Sequence, residues 1–243
     1  MIPFVTSLAE TDFIAGALLL VDKPKGWTSF DVVNKIRWLL RKKYNVKNIK
    51  VGHSGTLDPM ATGLLLICTG KYTKELQHLT GLDKKYEGEI TLGVETATYD
   101  AEGEILSQKD VPSLSKIEIE KILADFKGEI DQYPPAYSAI KKDGKKLYEL
   151  ARAGKEVVVE SRKVKVYDIQ LHSVNAQILK ILVHCGSGFY VRSLAHDVGE
   201  KIGCGGHLSA LKRTSIGEYL LESAFSVKEI EDFLLPPATD FHA

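Results

Sequence analysis

The segment that most limits what this chain can fold into is Val51-Gly-His-Ser-Gly-Thr-Leu-Asp-Pro-Met-Ala-Thr-Gly63, where three glycines and a proline fall within thirteen residues. That spacing forbids a regular element and reads as a constrained loop, His53 included, between a basic helix and an apolar strand. Asp58 precedes Pro59, which biases it to an extended conformation and removes a neighbouring backbone donor that could bind its carboxylate. Beside apolar Leu57, Met60 and Leu64, a carboxylate held in this way is a candidate nucleophile or base. An aspartate that only closes the turn is the alternative reading of the same residues.

Around this loop, strand and helix signals alternate through all 243 residues, which predicts one α/β (α+β) domain with a mixed, largely antiparallel sheet flanked by helices. Ala17 to Val21 reads as a short apolar strand ended by Asp22-Lys-Pro-Lys-Gly26. Thr28 or Ser29 can then cap a helix whose apolar face is Phe30, Val33, Ile36 and Leu40. Ser115-Lys-Ile-Glu118 is a capping-box pattern ahead of Ile119, Ile122, Leu123 and Phe126, with Gly128 as the stop. Tyr86, Gly88, Ile90 and Leu92 alternate with Glu87, Glu89 and Thr91, and Val164 to Ile169 and Ile178 to Val183 add further strands. Residues 132–161 carry Pro134-Pro135, the cluster Lys141-Lys-Asp-Gly-Lys-Lys146 and a short helical stretch around Leu147 to Ala153. Polar and basic, they read as an inserted arm. The 26 residues after Gly217 are too few for a further domain and read as a short C-terminal extension, 218–243.

Composition excludes several classes. Apolar residues are 44% and charged residues 26%, the balance of a folded, soluble protein. The longest apolar runs, Ala17–Val21 and Leu64–Cys68, fall far short of the roughly 20 residues that span a bilayer. Glu10 and Asp12 in a segment with no basic start do not read as a secretory signal. Cys68, Cys185 and Cys204 are odd in number and widely spaced, which argues against a disulfide framework or zinc site and for a reducing cytoplasm. No His/Cys cluster, Walker A or G-x-G-x-x-G pattern supports a metal or nucleotide cofactor. Net charge is zero, yet Lys35 to Lys50 holds seven Lys/Arg and no acid, interleaved with Trp38 and Tyr44. Such a run is a solvated face or a nucleic-acid contact.

A second segment, Gly186-Ser-Gly-Phe-Tyr-Val-Arg-Ser-Leu-Ala-His-Asp197, joins a strand to a helix through two glycines. It puts Arg192 in the first helical turn, where the helix dipole disfavours a cation unless an anion is its partner. An arginine so placed could hold a catalytic carboxylate ionised, or could be a surface residue; Tyr190 could be core or ligand.

Taken together, these motifs resemble the TruB family of bacterial tRNA pseudouridine(55) synthases. The resemblance runs through Val21-Asp-Lys-Pro-Lys-Gly-Trp-Thr-Ser29, Gly52 to Gly63, Lys84-Lys-Tyr86 with Leu92-Gly93, and Pro135-Ala-Tyr-Ser-Ala-Ile-Lys141. It continues through Gly144-Lys-Lys-Leu-Tyr148, Gly186 to Arg192 and Cys204-Gly-Gly-His-Leu-Ser-Ala-Leu-Lys-Arg213. It implies the pseudouridine synthase fold with an RNA-binding arm, in a short form lacking a C-terminal PUA domain. It also implies isomerisation of the T-loop uridine of tRNA, with uracil cleaved from its sugar, turned and rejoined through C5. By the same resemblance Asp58 is the catalytic aspartate, Arg192 its ion-pair partner and Tyr86 the residue against the base. Tyr190 and Leu211 complete the pocket wall, and His53 contacts the RNA. Lys141, Lys142, Lys145 and Lys146 contact phosphate. The implied enzyme needs no cofactor and no metal, takes the T-arm stem-loop of tRNA as partner, touches no membrane, implies no protein partner and acts as a monomer. A non-catalytic tRNA-binding or tRNA-folding module, and a hydrolase releasing free uracil, are the competing readings.

Overall fold

The computed structural model describes residues 2–135, the backbone of 141–142 and 145–146, and residues 159–235. Along the chain run β1 (Leu18–Lys23), α1 (Ser29–Tyr44), β2 (Val51–Ser54), β3 (Thr62–Thr69), a 3-10 turn over Gly70–Glu75, α2 (Leu76–Gly81), β4 (Lys84–Leu92), β5 (Val94–Thr96) and β6 (Ile105–Gln108). There follow α3 (Lys116–Ala124), β7 (Gly128–Gln132), β8 (Lys141–Lys142), β9 (Lys145–Lys146), β10 (Arg162–Asn175) and β11 (Ile178–Cys185). Helix α4 (Val191–Ile202), β12 (Gly206–Ile216), β13 (Tyr219–Leu220), β14 (Phe225–Ser226) and α5 (Val227–Leu234) complete the order. These elements form two compact units, one of Met1–Lys84 with Lys212–Ala243 and one of Lys85–Leu211. Among the described residues no helix is long and apolar enough to cross a membrane.

In the first unit β3 is central. One edge pairs antiparallel with β1, which pairs parallel with β14. Its other edge is divided: Thr62 and Gly63 pair with Lys212 and Arg213 of β12, and Leu66 to Thr69 pair with β2. Alternation sorts the strands' side chains to two faces. Leu19, Val21, Leu65 and Ile67 pack with Val32, Val33, Ile36, Leu39 and Leu40 of α1 and Ile230 and Leu234 of α5, whereas Leu18, Leu20, Leu64 and Leu66 pack with Leu79, Ile216 and Tyr219. Thr28 caps α1 in a full capping box with Asp31. Phe30, expected on the buried face, is 60% exposed. At the second position of the helix it points away from the sheet, and Val32 and Leu39 occupy the core instead. The terminal residues through Leu234 are part of this unit, β14 extending its sheet and α5 covering α1.

The second expectation to be corrected is the loop. Val51–Ser54, read as irregular, is a strand because its partner β3 supplies the ladder hydrogen bonds. At Gly52 the Leu76 side chain packs over the strand, and a Cβ there would stand 2.7 Å from Leu76 Cδ1, so a larger residue would have to displace that leucine. The true loop is residues 55–61.

In the second unit the strand order is the first half of β12, then β4, β11, β10 and β7. The alternation of β4 holds throughout, with Tyr86, Gly88, Ile90 and Leu92 buried. In β10 the buried face passes from Val164 and Val166 to Ile169 because of a bulge between Val166 and Asp168. Ser115 and Glu118 form the expected capping box on α3. Arg162 pairs with Gln132, so the chain leaves the sheet after Gln132 and returns opposite it. Gln132 itself, read as the start of the arm, ends β7 and is buried. Lys141 and Lys142 pair with Lys146 and Lys145 as a small hairpin. Their side chains, and the expected helical stretch around Leu147 to Ala153, lie outside the described residues. Helix α4 crosses β12 closely at Gly199, where a Cβ would lie 2.2 Å from the backbone of Gly205 and Gly206.

Candidate active site

In the first unit the short loop 55–61 holds Asp58, half-buried, by fixing the peptides on either side of it. Ser29, at the start of α1, clasps Leu57 from both directions: its Oγ accepts from the Leu57 N–H at 2.8 Å and donates to the Leu57 carbonyl at 3.2 Å. Beyond Asp58, the Pro59 carbonyl accepts from the Gly26 N–H at 2.8 Å. The fully buried Lys23 ammonium lies 3.5 Å from that carbonyl and donates to the Trp27 and Pro24 carbonyls at 2.6 and 3.0 Å. The Asp58 carbonyl accepts from the Ala61 N–H at 3.1 Å. A buried cation satisfied by carbonyl oxygens is stable only while that cage is intact, so Asp22-Lys-Pro-Lys-Gly26 and the Asp58 loop form one rigid unit.

Arg213, 1% exposed, braces the loop from below. Its Nε donates to the Leu64 carbonyl at 2.8 Å and its Nη2 to the Gly55 carbonyl at 3.1 Å. Gly63 allows this crossing: at φ +99°, a Cβ there would meet the Arg213 carbonyl oxygen at 2.3 Å. His53, on β2, is held below its ordinary pKa, by burial first and then by the Arg213 charge.

In the second unit, Tyr86 stands on the face of β4 shared with Gly88, and the space over Gly88 is bounded by Ile181, Leu208 and Leu211 side chains. Tyr86 and Leu211 therefore address one side of the sheet. Tyr190 caps α4 from an extended conformation. Gln132 grips its backbone at both ends, accepting from its N–H at 2.8 Å and donating to its carbonyl at 3.0 Å, and the Arg162 guanidinium lies 4.8 Å from the centre of its ring. Arg192 sits in the first turn of α4 as expected, 5% exposed. Its Nη1 donates to the Thr98 carbonyl at 3.1 Å and lies 3.4 Å from Asp100 Oδ2. Asp100 is in turn bound by the Thr98 hydroxyl at 2.5 Å and the Glu102 N–H at 3.0 Å.

Sequence reasoning missed four residues that shape these sites: Lys23, Ser29, Asp100 and Arg213. A lone lysine closing an apolar strand before a proline was the available signal for Lys23. Thr98-Tyr-Asp100, an Asx-turn pattern in an acid-rich stretch, was the signal for Asp100.

Residues 41–191 match the model for the TruB family pseudouridylate synthase N-terminal domain, and residues 192–239 match the tRNA pseudouridylate synthase B C-terminal domain. The chain is 44% identical over 228 residues to a tRNA pseudouridine synthase B of Flavobacterium johnsoniae, covering 93% of this chain and 100% of that protein. It is 46% identical over 216 residues to one of Francisella tularensis, covering 88% and 70%. Among solved structures it resembles a chain of a Cbf5–Nop10–Gar1 complex, at 28% identity and a TM-score of 0.68. That match covers 91% of this chain and 55% of the other, so this chain spans about half the length of that neighbour.

Proposed function

This chain belongs to the TruB family and isomerises uridine to pseudouridine in tRNA, and from that premise we propose that its target is the T-loop uridine of the TΨC sequence, position 55, with Asp58 as the catalytic carboxylate. The observation that carries the reading is the bracing of Asp58. The peptides before and after it are locked by Ser29, Gly26 and Lys23, so its carboxylate is presented from a stiff platform beside apolar Leu57 and Met60.

The chemistry explains the residue types. The bond to be broken is glycosidic, but the base must be kept and water excluded, so one carboxylate replaces the flanking pair of a glycosidase. A uridine inside a stacked loop is out of reach, and extruding it costs a few kcal/mol, offset by stacking on Tyr86. Tyr190 and Leu211 wall the pocket and His53 contacts the RNA. Arg192, steadied by Asp100 and Thr98, is the cation that keeps Asp58 ionised. Lys141, Lys142, Lys145 and Lys146, with the basic face of α1, position the RNA through phosphate contacts. The isomerisation is redox-neutral and adds no group, so the side chains supply all the chemistry. Of attack at C1′, attack at C6 and proton chemistry through a glycal, the last is our choice. The enzyme acts as a monomer in the cytoplasm.

The test is to map pseudouridine in tRNA transcripts incubated with the purified protein and with Asp58→Asn. Pseudouridine in the T-loop with the parent protein and none with the variant is the expected result. Free uracil as product would make the protein a hydrolase, and full turnover by Asp58→Asn would remove Asp58 from the chemistry.

A further inference from the structure

Arg192 and His196 are four residues apart in α4, so their side chains leave the same side of the helix. Both meet the turn that follows β5. Arg192 takes the Thr98 carbonyl and the Asp100 carboxylate, and between those residues Tyr99 lays its ring flat on the His196 imidazole, 4.0 Å between centroids at 12°. Tyr99 stands at φ +62°, a left-handed conformation that a side chain of this size rarely adopts and glycine adopts freely. The turn is also pinned at its backbone: the Tyr99 N–H donates to the Thr96 carbonyl at 3.1 Å, its carbonyl accepts from the Leu208 N–H at 3.0 Å, and the Ala101 N–H donates to the Leu208 carbonyl at 3.1 Å. Behind the imidazole, Glu95 Oε1 lies 3.9 Å from His196 Nδ1, and its other oxygen accepts from Ser107 at 3.1 Å.

We propose that the Tyr99–His196 stack is a positioning device for Arg192. A left-handed residue at 99 turns its two neighbours so that the Thr98 carbonyl and the Asp100 carboxylate both face the guanidinium, and the stack fastens that turn to the same helix that carries Arg192. Helix and turn then hold the arginine as one piece, with no freedom for it to swing when RNA enters. This rests on the reading of Arg192 as an active-site residue. Tyr99 and His196 act through Arg192 and do not themselves touch the reacting atoms.

Tyr99→Gly separates the ring from the backbone, because glycine takes φ +62° without strain and the turn can still form. It should lower kcat about tenfold or more, ~1.4 kcal/mol per tenfold, with KM for tRNA within about threefold. The acid limb of the kcat profile should move to higher pH as the looser arginine holds the carboxylate less well. His196→Ala should do the same, whereas Tyr99→Phe and His196→Phe, which keep two stacked rings, should restore the parent rate and profile. Arg192→Met is measured alongside. If it is inactive while Tyr99→Gly and His196→Ala keep the parent kcat and pH profile, the stack has no positioning role and the proposal alone falls. A lower kcat with an unmoved profile, or no rescue by the phenylalanine variants, also overturns it, as a merely structural loss. Full activity of Arg192→Met would overturn the reading of Arg192 and the proposal with it.

Discussion

Asp100 stands behind Arg192, its Oδ2 3.4 Å from Nη1, with the two side chains only 4% and 5% exposed. They are 92 residues apart in the chain, and no local rule connects them. A cation in the first turn of a helix opposes the positive end of the helix dipole, and Asp100 is the anion that makes the position tolerable.

Asp100→Asn keeps the shape and most hydrogen bonds but removes that charge. It should cost about 2 kcal/mol of stability, the usual scale for weakening a buried charged contact, and should lower the rate of pseudouridine formation without a matching loss of tRNA affinity. Denaturant titration and single-turnover assays measure the two effects. Unchanged stability and rate would show that the Thr98 carbonyl alone suffices.

Arg213→Met removes the brace under the Asp58 loop and leaves the Leu64 and Gly55 carbonyls without their donor. The expected loss is about 3 kcal/mol, which in a chain of this length lowers Tm by roughly 6–12 °C. Arg213→Lys should recover only part, since a single ammonium cannot replace the guanidinium fork. Calorimetry of the three proteins decides it, and a parent-like Tm for Arg213→Met would refute the brace.

His53 is held below its ordinary value of 6.5 by burial and by Arg213. Below pH 6.5 the unfolded chain therefore takes up a proton that the native protein resists. Stability from this residue is complete above pH 6.5 and is lost as pH falls toward the lower native value. Tm plotted from pH 7.5 to 5.5 should fall less steeply for His53→Gln than for the parent. Parallel curves would mean that His53 titrates alike in both states.

Replacing Lys141, Lys142, Lys145 and Lys146 by alanine should weaken tRNA binding. It should also flatten the plot of log affinity against log salt by roughly 0.7 to 0.9 per lost phosphate contact. The rate at saturating tRNA should change less than the affinity. A salt slope equal to the parent's would remove these lysines from the interface.

What was legible in the chain alone was what closes over short distances. A cap at Thr28 or Ser29 and the capping box at Ser115 involve residues at most three apart, the alternation of Tyr86 to Leu92 is a property of one strand, and the restricted backbone at Asp58 follows from Pro59 beside it. Tertiary structure decided the rest. Val51–Ser54 became a strand because β3 lies beside it, and Phe30 turned outward because Val32 and Leu39 fit the core better. Lys23, Ser29 and Arg213 converge on one loop from 28 to 158 residues away. Hydrogen bonds within a turn form wherever the local sequence allows them, but a buried lysine or arginine finds its carbonyl cage only after the sheet has brought distant segments together. That cage is invisible to any pattern that reads neighbours along the chain.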